Sequence, residues 1–340
     1  MAAIEVEGEH DGRAVHAVTL RGGGGIRARL STFGARLTEL HVPDRDGRLA
    51  DVVLGHDTVA DHAASPAYFG ATCGRYGNRI AGARFVLDDA EHAVDANEGP
   101  NHLHGGREGF DRKVWTLAAQ DAGRAVFRAV SEDGEMGFPG RCDLTCTYAL
   151  DGARLTVAME AVTTRATPMN MVHHSYFNLA GGGDVLGHDL RIAADFYTPV
   201  GPDLLATGEI RSVAGTPFDF RAAKAIGQDI GALAAMRGYD HNWCLAGAGR
   251  RLRPCAEARD PVSGRTLTLH TTEPGVQVYT GGYLTGTMTG KRGRPLLPHA
   301  GFTLETQRFP GSPNHAQFPS AILRPGEAYR NVMVLAFGIG

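Results

Sequence analysis

The sequence predicts an all-β protein, a large antiparallel β-sandwich, and three observations carry that prediction. Apolar and polar residues alternate with period two in window after window, the pattern of strands with one buried face. Glycine supplies 46 of 340 residues, nearly twice the usual share of roughly 7% and without a collagen period, so the chain turns often. Helical periodicity is weak: its best windows are 58–64 and 221–237, and the second is broken by Gly227 and Gly231.

Along the chain, the run Gly22 to Gly25 comes first. It lies between two strand patterns with neither a helix nor a lysine after it, so it reads as a hairpin turn and not a phosphate loop. Alternation follows at 26–32 and 36–42, then Asp46-Gly47 marks a turn. Windows 114–119 and 125–131 are joined through Asp121-Ala122-Gly123. The clearest hairpin comes next: Leu144, Cys146, Tyr148 and Leu150 share a face, Asp151-Gly152 turns, and Leu155, Val157, Met159 and Ala161 alternate back. Gly181-Gly182-Gly183 is another turn; strands at 265–271, 302–307 and 329–337 follow, with Ser263-Gly264 and Pro325-Gly326 as punctuation. With no composition shift, linker or repeat of 20 to 50 residues, residues 1–340 are expected to form one domain, two β domains in tandem being the alternative.

Charge and cysteine usage exclude several function classes. Lysine and arginine number 34 against 37 acidic residues, a net charge of -3, so no global field gathers nucleic acid or anionic lipid. No stretch approaches ~18 apolar residues, and the first 25 residues lack the apolar core of a signal peptide, so a cytoplasmic protein is expected. Cys73, Cys142, Cys146, Cys244 and Cys255 form a scattered set without C-x-x-C, which fits reduced thiols. On one strand Cys142 and Cys146 would stand ~13 Å apart, too far to share a tetrahedral metal.

Polar clusters inside strand-like sequence are the informative places, because a buried polar group is costly unless paired or used. Five stand out: Gly74 to Ile80 (GRYGNRI), Asn101 to Gly106 (NHLHGG), His173 to Leu179 (HHSYFNL), Gly238 to Trp243 (GYDHNW) and Leu304 to Gln307 (LETQ). Adjacent strand residues face opposite ways, so at most one of His173 and His174 looks into a given cavity, whereas His102 and His104 can share a face. The H-x-H pattern invites a metal, yet no H-E-x-x-H or facial-triad context supplies a third ligand nearby.

Taken in order, these segments resemble the aldose 1-epimerase (galactose mutarotase) family. The family pattern runs G-R-x-x-N-R-I, L-H-G-G with G-F-D and a tryptophan, N-H-S-Y-F-N-L, D-H-N, E-P-G-V-Q and L-E-T-Q-x-F-P. Here the matches are Gly74 to Ile80, Leu103 to Gly106, Gly109 to Asp111 with Trp115, His174 to Leu179, Asp240 to Asn242, Glu273 to Gln277 and Leu304 to Pro310. The likeness covers about 34–337. His173 stands where the family usually has asparagine, Gly311 where aspartate is common, and Gly282 where asparagine often follows T-G.

The resemblance implies a galactose mutarotase-like supersandwich that interconverts the α and β anomers of a free aldose without metal or cofactor. It implies Glu305 as general base, His174 as general acid and His104 as a second histidine beside the ring. Arg79 and Asp240 would hold sugar hydroxyls, with Asn78 and Gln277 also near the sugar. Opening a hemiacetal needs one group to take the C1 hydroxyl proton and another to protonate the ring oxygen, and reference values of about 4.3 and 6.5 let a carboxylate and an imidazolium coexist near neutrality. Trp115, Trp243, Tyr176 and Phe177 could wall the ring, although core packing suits most of them. The rivals are a glycosidase using Asp240 and Glu305, a sugar-binding module without turnover, and a hexose-6-phosphate mutarotase drawing on Arg75, Lys291 and Arg292. The expected partner is a small aldose, not nucleic acid or membrane, and the chain is expected to be a monomer or homodimer.

Overall fold

Period-two burial organises the protein, whose structure, a computed structural model, describes residues 4–247 and 251–340. In the hairpin Cys142–Asp151 with Arg154–Thr163, Leu144, Cys146, Tyr148 and Leu150 are buried, as are Leu155, Val157, Met159 and Ala161. Asp151 pairs with Arg154, so the two-residue turn is Gly152-Ala153, one residue later than the dipeptide Asp151-Gly152 suggested. Every paired strand among the described residues is antiparallel.

Among the described residues three larger sheets carry the architecture, beside five two-stranded ones. The largest has nine strands, in the order Thr116–Gln120, Arg124–Ser131, Cys142–Asp151, Arg154–Thr163, Tyr329–Ile339, Arg265–Thr271, Arg253–Arg259, Asp189–Ile192 and Lys224–Ala225. A five-stranded N-terminal sheet runs Ile4–His10, Arg13–Arg21, Arg27–Ser31, Arg36–Pro43, Leu49–Asp51. A second five-stranded sheet runs Arg211–Ser212, Phe196–Thr198, Asp240–Cys244, Gly275–Tyr279, Glu305–Gln307. All three feed one apolar core, which joins Leu30 and Leu37, Tyr148 and Val157, and Trp243 and Val276.

Helix is sparse, as expected. Among the described residues there is a single α-helix, Val59–Ala64, which Thr58 caps by accepting from the Asp61 amide. The 221–237 window yields only the short strand Lys224–Ala225 and a 3-10 helix, Ile230–Met236, because its glycines fall where a helix would have to continue. The strand expected at 302–307 is interrupted at Leu304, giving Phe302–Thr303 and Glu305–Gln307. Asn331 of the long C-terminal strand fixes the second piece: its Nδ2 donates to the Thr306 carbonyl at 2.8 Å, and its Oδ1 accepts from the Thr306 hydroxyl at 3.1 Å. Thr306 faces that anchor, so Glu305, its neighbour on the strand, faces the opposite way.

Candidate active site

Glu305, His174, His104, Arg79, Asn78 and Asp240 line one cavity of about 280 Å³, together with Glu98, Tyr68, Tyr176, Tyr279, Tyr283 and Leu204. A larger groove of about 780 Å³ lies elsewhere, lined by Arg13, Arg112, Arg128 and Asp143 among others. That groove contains no buried acid–base pair; the smaller cavity does. Volume is therefore a poor guide here and convergent chemistry a better one.

The second five-stranded sheet delivers two of the cavity's carboxylates, Asp240 and Glu305. Gln277 stands opposite Glu305 on one neighbouring strand and opposite Asn242 on the other, and Asp240 pairs with Tyr279. Glu305 is 2% exposed. The Thr303 hydroxyl donates to its Oε1 at 2.8 Å, and its Oε2 is buried with no partner. Its Oε1 lies 3.5 Å from His174 Nε2, and His174 Nδ1 is likewise buried and unpartnered. Unused polar atoms of this kind are costly in a core and make sense where a ligand completes them.

Burial acts on both partners in the direction of neutrality. It pushes the Glu305 carboxyl up to about 8, with the Thr303 hydrogen bond opposing, Asp240 adding and Arg79 opposing. It pulls the His174 imidazole down to about 4, against a contact with its own backbone and reinforced by Arg36. These directions replace the carboxylate–imidazolium pair expected from reference values by a dyad holding one proton on the carboxyl. The proton count is the same in either form.

His104 comes from a strained loop. Its φ is +52°, followed by Gly105 at +101°. A Cβ on Gly105 would sit 1.8 Å from the Gly74 carbonyl oxygen, so only glycine lets the two motifs touch. The Asn78 backbone N–H donates to His104 Nδ1 at 3.2 Å, and burial, then His174, holds the ring well below the usual imidazole range. A neutral ring whose Nδ1 accepts must carry its proton on Nε2. Ligand atoms of His104, His174 and Glu305 lie within 4.8 Å of one another, a grouping the spacing of the sequence did not reveal. The Asn78 bond nevertheless makes His104 a hydrogen-bond donor toward the cavity, whereas a metal ligand needs a bare lone pair there and an acceptor behind.

Arg79 donates from Nε and Nη2 to the two oxygens of Glu98, each at 2.7 Å, while its Nη1 lies 3.9 Å from Asp240 Oδ2. Gln277, expected near the sugar, is bonded directly to a cavity residue: its Nε2 donates to Asp240 Oδ1 at 2.6 Å while its Oε1 accepts from Gln307. It orients Asp240. Of the four aromatic residues considered for a ring wall only Tyr176 lines the cavity. Trp115 and Trp243 are core residues whose indole N–H groups donate to the Phe110 and Phe218 carbonyls, and Phe177 packs on Phe302.

The three departures from the family pattern do not fall on Glu305 or His174. His173 turns away from the cavity, with Nδ1 on the Tyr148 hydroxyl at 3.2 Å and Nε2 on Ser175 at 2.8 Å. Gly311 has φ +70°, and a Cβ on Gly282 would lie 1.7 Å from the Arg237 carbonyl oxygen. Arg75 also lies outside the cavity: its two terminal nitrogens donate to the carbonyls of Pro139, Gly140, Ser131 and Glu132.

Residues 16–336 match the family model described as aldose 1-epimerase. The chain is 43% identical over 316 residues to the galactose mutarotase of Bos taurus, covering 92% of each. It is 36% identical over 335 residues to the aldose 1-epimerase of Escherichia coli K12, covering 96% of each. Among solved structures, an aldose epimerase homologue from C. elegans superimposes with a TM-score of 0.90 at 28% identity, over 96% of this chain and 99% of that one. The galactose 1-epimerase of Lactobacillus acidophilus gives 0.88 at 27% identity, over 100% and 99%.

Proposed function

The chain belongs to the aldose 1-epimerase family and is an isomerase of aldose anomers, and from that premise we propose that Glu305 and His174 are its proton carriers. The observation that carries the assignment is the 3.5 Å contact between Glu305 Oε1 and His174 Nε2 in a cavity that both residues line.

As a sugar binds, its hydroxyls supply the hydrogen bonds the Glu305 carboxylate lacks, and the dyad proton passes to His174. Glu305 then removes the proton from the C1 hydroxyl while His174 protonates the ring oxygen, so the C1–ring oxygen bond breaks and an open-chain aldehyde forms. Rotation about C1–C2 presents the other carbonyl face. On closure Glu305 returns its proton to O1 and His174 recovers one from the ring-oxygen hydroxyl, leaving the enzyme unchanged. His104 donates from Nε2 to a sugar oxygen, and Arg79 with Asp240 offers a donor and an acceptor to one hydroxyl.

Galactose and glucose are the proposed substrates, galactose on the strength of the mutarotase relatives' names. A phosphorylated sugar fits poorly: among the described residues Arg79 is the one lysine or arginine lining the cavity, and it faces both Glu98 and Asp240. Lys291 is held by Asp51 and the Val53 carbonyl in a different cavity. Among the described residues no helix is long and apolar enough to cross a membrane, and the five cysteines are free thiols, which supports a reducing, cytoplasmic setting.

Polarimetry on freshly dissolved α-galactose tests the reading: the protein should accelerate the approach to the equilibrium rotation. An aryl galactoside, whose anomeric oxygen carries no proton, should stay intact. Phenol release would make the protein a glycosidase, and calorimetric binding without acceleration would leave it a binding module.

A further inference from the structure

Glu98 was not among the residues the sequence brought forward, and it meets Arg79 in a geometry with consequences for the sugar. We propose that Glu98 is a positioning residue that holds the Arg79 guanidinium in the orientation that leaves Nη1 facing a sugar hydroxyl beside Asp240. The inference deepens the reading above and rests on its placing of the sugar in this cavity.

Two parallel bonds from Nε and Nη2, each 2.7 Å long, fix the plane of the guanidinium as one bond could not. The donors on Nη1 remain, 3.9 Å from Asp240 Oδ2. That distance is too long for a direct hydrogen bond, and a hydroxyl placed beside both groups can accept from one and donate to the other. Were Glu98 neutral or absent, the nearest anion for Arg79 would be Asp240. The guanidinium would swing onto it and occupy the hydroxyl's place.

Glu98 is itself held firmly. Its backbone N–H and C=O exchange 3.0 Å bonds with Asn101, closing the turn Glu98-Gly99-Pro100-Asn101. Asn97 clasps Leu103 through both side-chain atoms, at 2.8 and 2.9 Å, and Asn101 Oδ1 accepts from the Gly82 amide. Leu103 pairs with Arg79 in the His102–Leu103 ladder, and His104 is the next residue. One cross-linked segment therefore delivers both His104 and the carboxylate that aims Arg79. The Arg79 side chain is only 10% exposed, so solvent competes little for its donors.

Glu98 also borders the cavity, so direct contact with the sugar is the alternative to exclude. The test is a double-mutant cycle in KM for galactose with Glu98→Gln, Arg79→Ala and the pair. Glu98→Gln should raise KM about ten-fold and keep kcat within about three-fold, with Glu98→Asp partly restored. In the Arg79→Ala background the same substitution should change KM by less than about two-fold. An unchanged KM in Glu98→Gln overturns the proposal, as does an equal multiplication of KM in both backgrounds, which marks direct contact. A fall in kcat together with a lowered melting temperature also overturns it, since that marks a structural role. The proton-carrier assignment is judged separately, by turnover in Glu305→Gln, so the two ideas fail in different measurements.

Discussion

The wall behind the cavity and the cavity itself are built from the same residue types, often from neighbours in the chain. Arg75 and Arg79 stand four apart in one motif. Arg75 gives both terminal nitrogens to backbone carbonyls and to the Ser131 and Thr167 hydroxyls, whereas Arg79 keeps Nη1 toward the cavity. His173 has a partner on each ring nitrogen, whereas His174 has a buried nitrogen with none. The difference is not burial, because all four residues are buried. Nor is it an unpartnered atom alone, since Arg75 Nε is also buried without a partner; it lies in which side chains line the cavity, Arg79 and His174, and which are spent on the surrounding fold, Arg75 and His173.

Substitution across the two regions should separate them, and the histidines should do so most strongly. His174→Ala and Glu305→Gln are each expected to lower kcat by about 10²- to 10⁴-fold, while His173→Asn stays within about three-fold of the parent in the same polarimetric assay. Comparable losses at 173 and 174 would break the distinction. For the arginines, Arg75→Met should lose on the order of 3 kcal/mol in a urea unfolding curve by stranding several buried carbonyls, with KM nearly unchanged. Arg79→Ala should do the reverse, raising KM with a small effect on stability.

A third expectation concerns the cost of keeping a carboxyl in the cavity. The folded Glu305 value of about 8 lies above its unfolded value of about 4.5. Its contribution to stability is therefore full below about 4.5, declines as the unfolded chain ionises, and is lost by the time pH has risen through about 8. Glu305→Gln should consequently be more stable than the parent at pH 7, on the order of 3 kcal/mol, and about equal at pH 4. A parent that is the more stable at pH 7 would contradict the burial argument. The smallest effect is in the rate profile: with one proton on the dyad as the active form, kcat/KM should be level between about 4 and about 8. It should fall on the acid side as a second proton arrives and on the alkaline side as the last one leaves. A profile centred between the reference values near 4.3 and 6.5 would restore the ion pair.

Much of this was legible in the sequence, for identifiable reasons. The 142–163 hairpin could be read because one face of each strand is buried without exception, and its turn was misplaced by one residue because register, not the dipeptide, sets the loop. The segments bearing Glu305, His174, His104, Arg79 and Asp240 were visible as polar residues in apolar surroundings, but nothing local said that they meet. Glu98 was invisible for the opposite reason: a glutamate before Gly-Pro looks like a solvated turn, and its partner is nineteen residues away across a ladder. The protonation of the dyad could not be read at all, since it depends on desolvation, which arises only when the sheets close over the site.

The central claim is that Glu305 and His174 act as one unit on a single hemiacetal. Its most direct test is the polarimetric kcat of the Glu305→Gln/His174→Ala double variant beside both single variants, on fresh α-galactose. If the two carriers form one relay, removing the second adds almost nothing, and the double variant should turn over within about three-fold of the slower single one. Losses that multiply would show two groups working independently and would contradict the account.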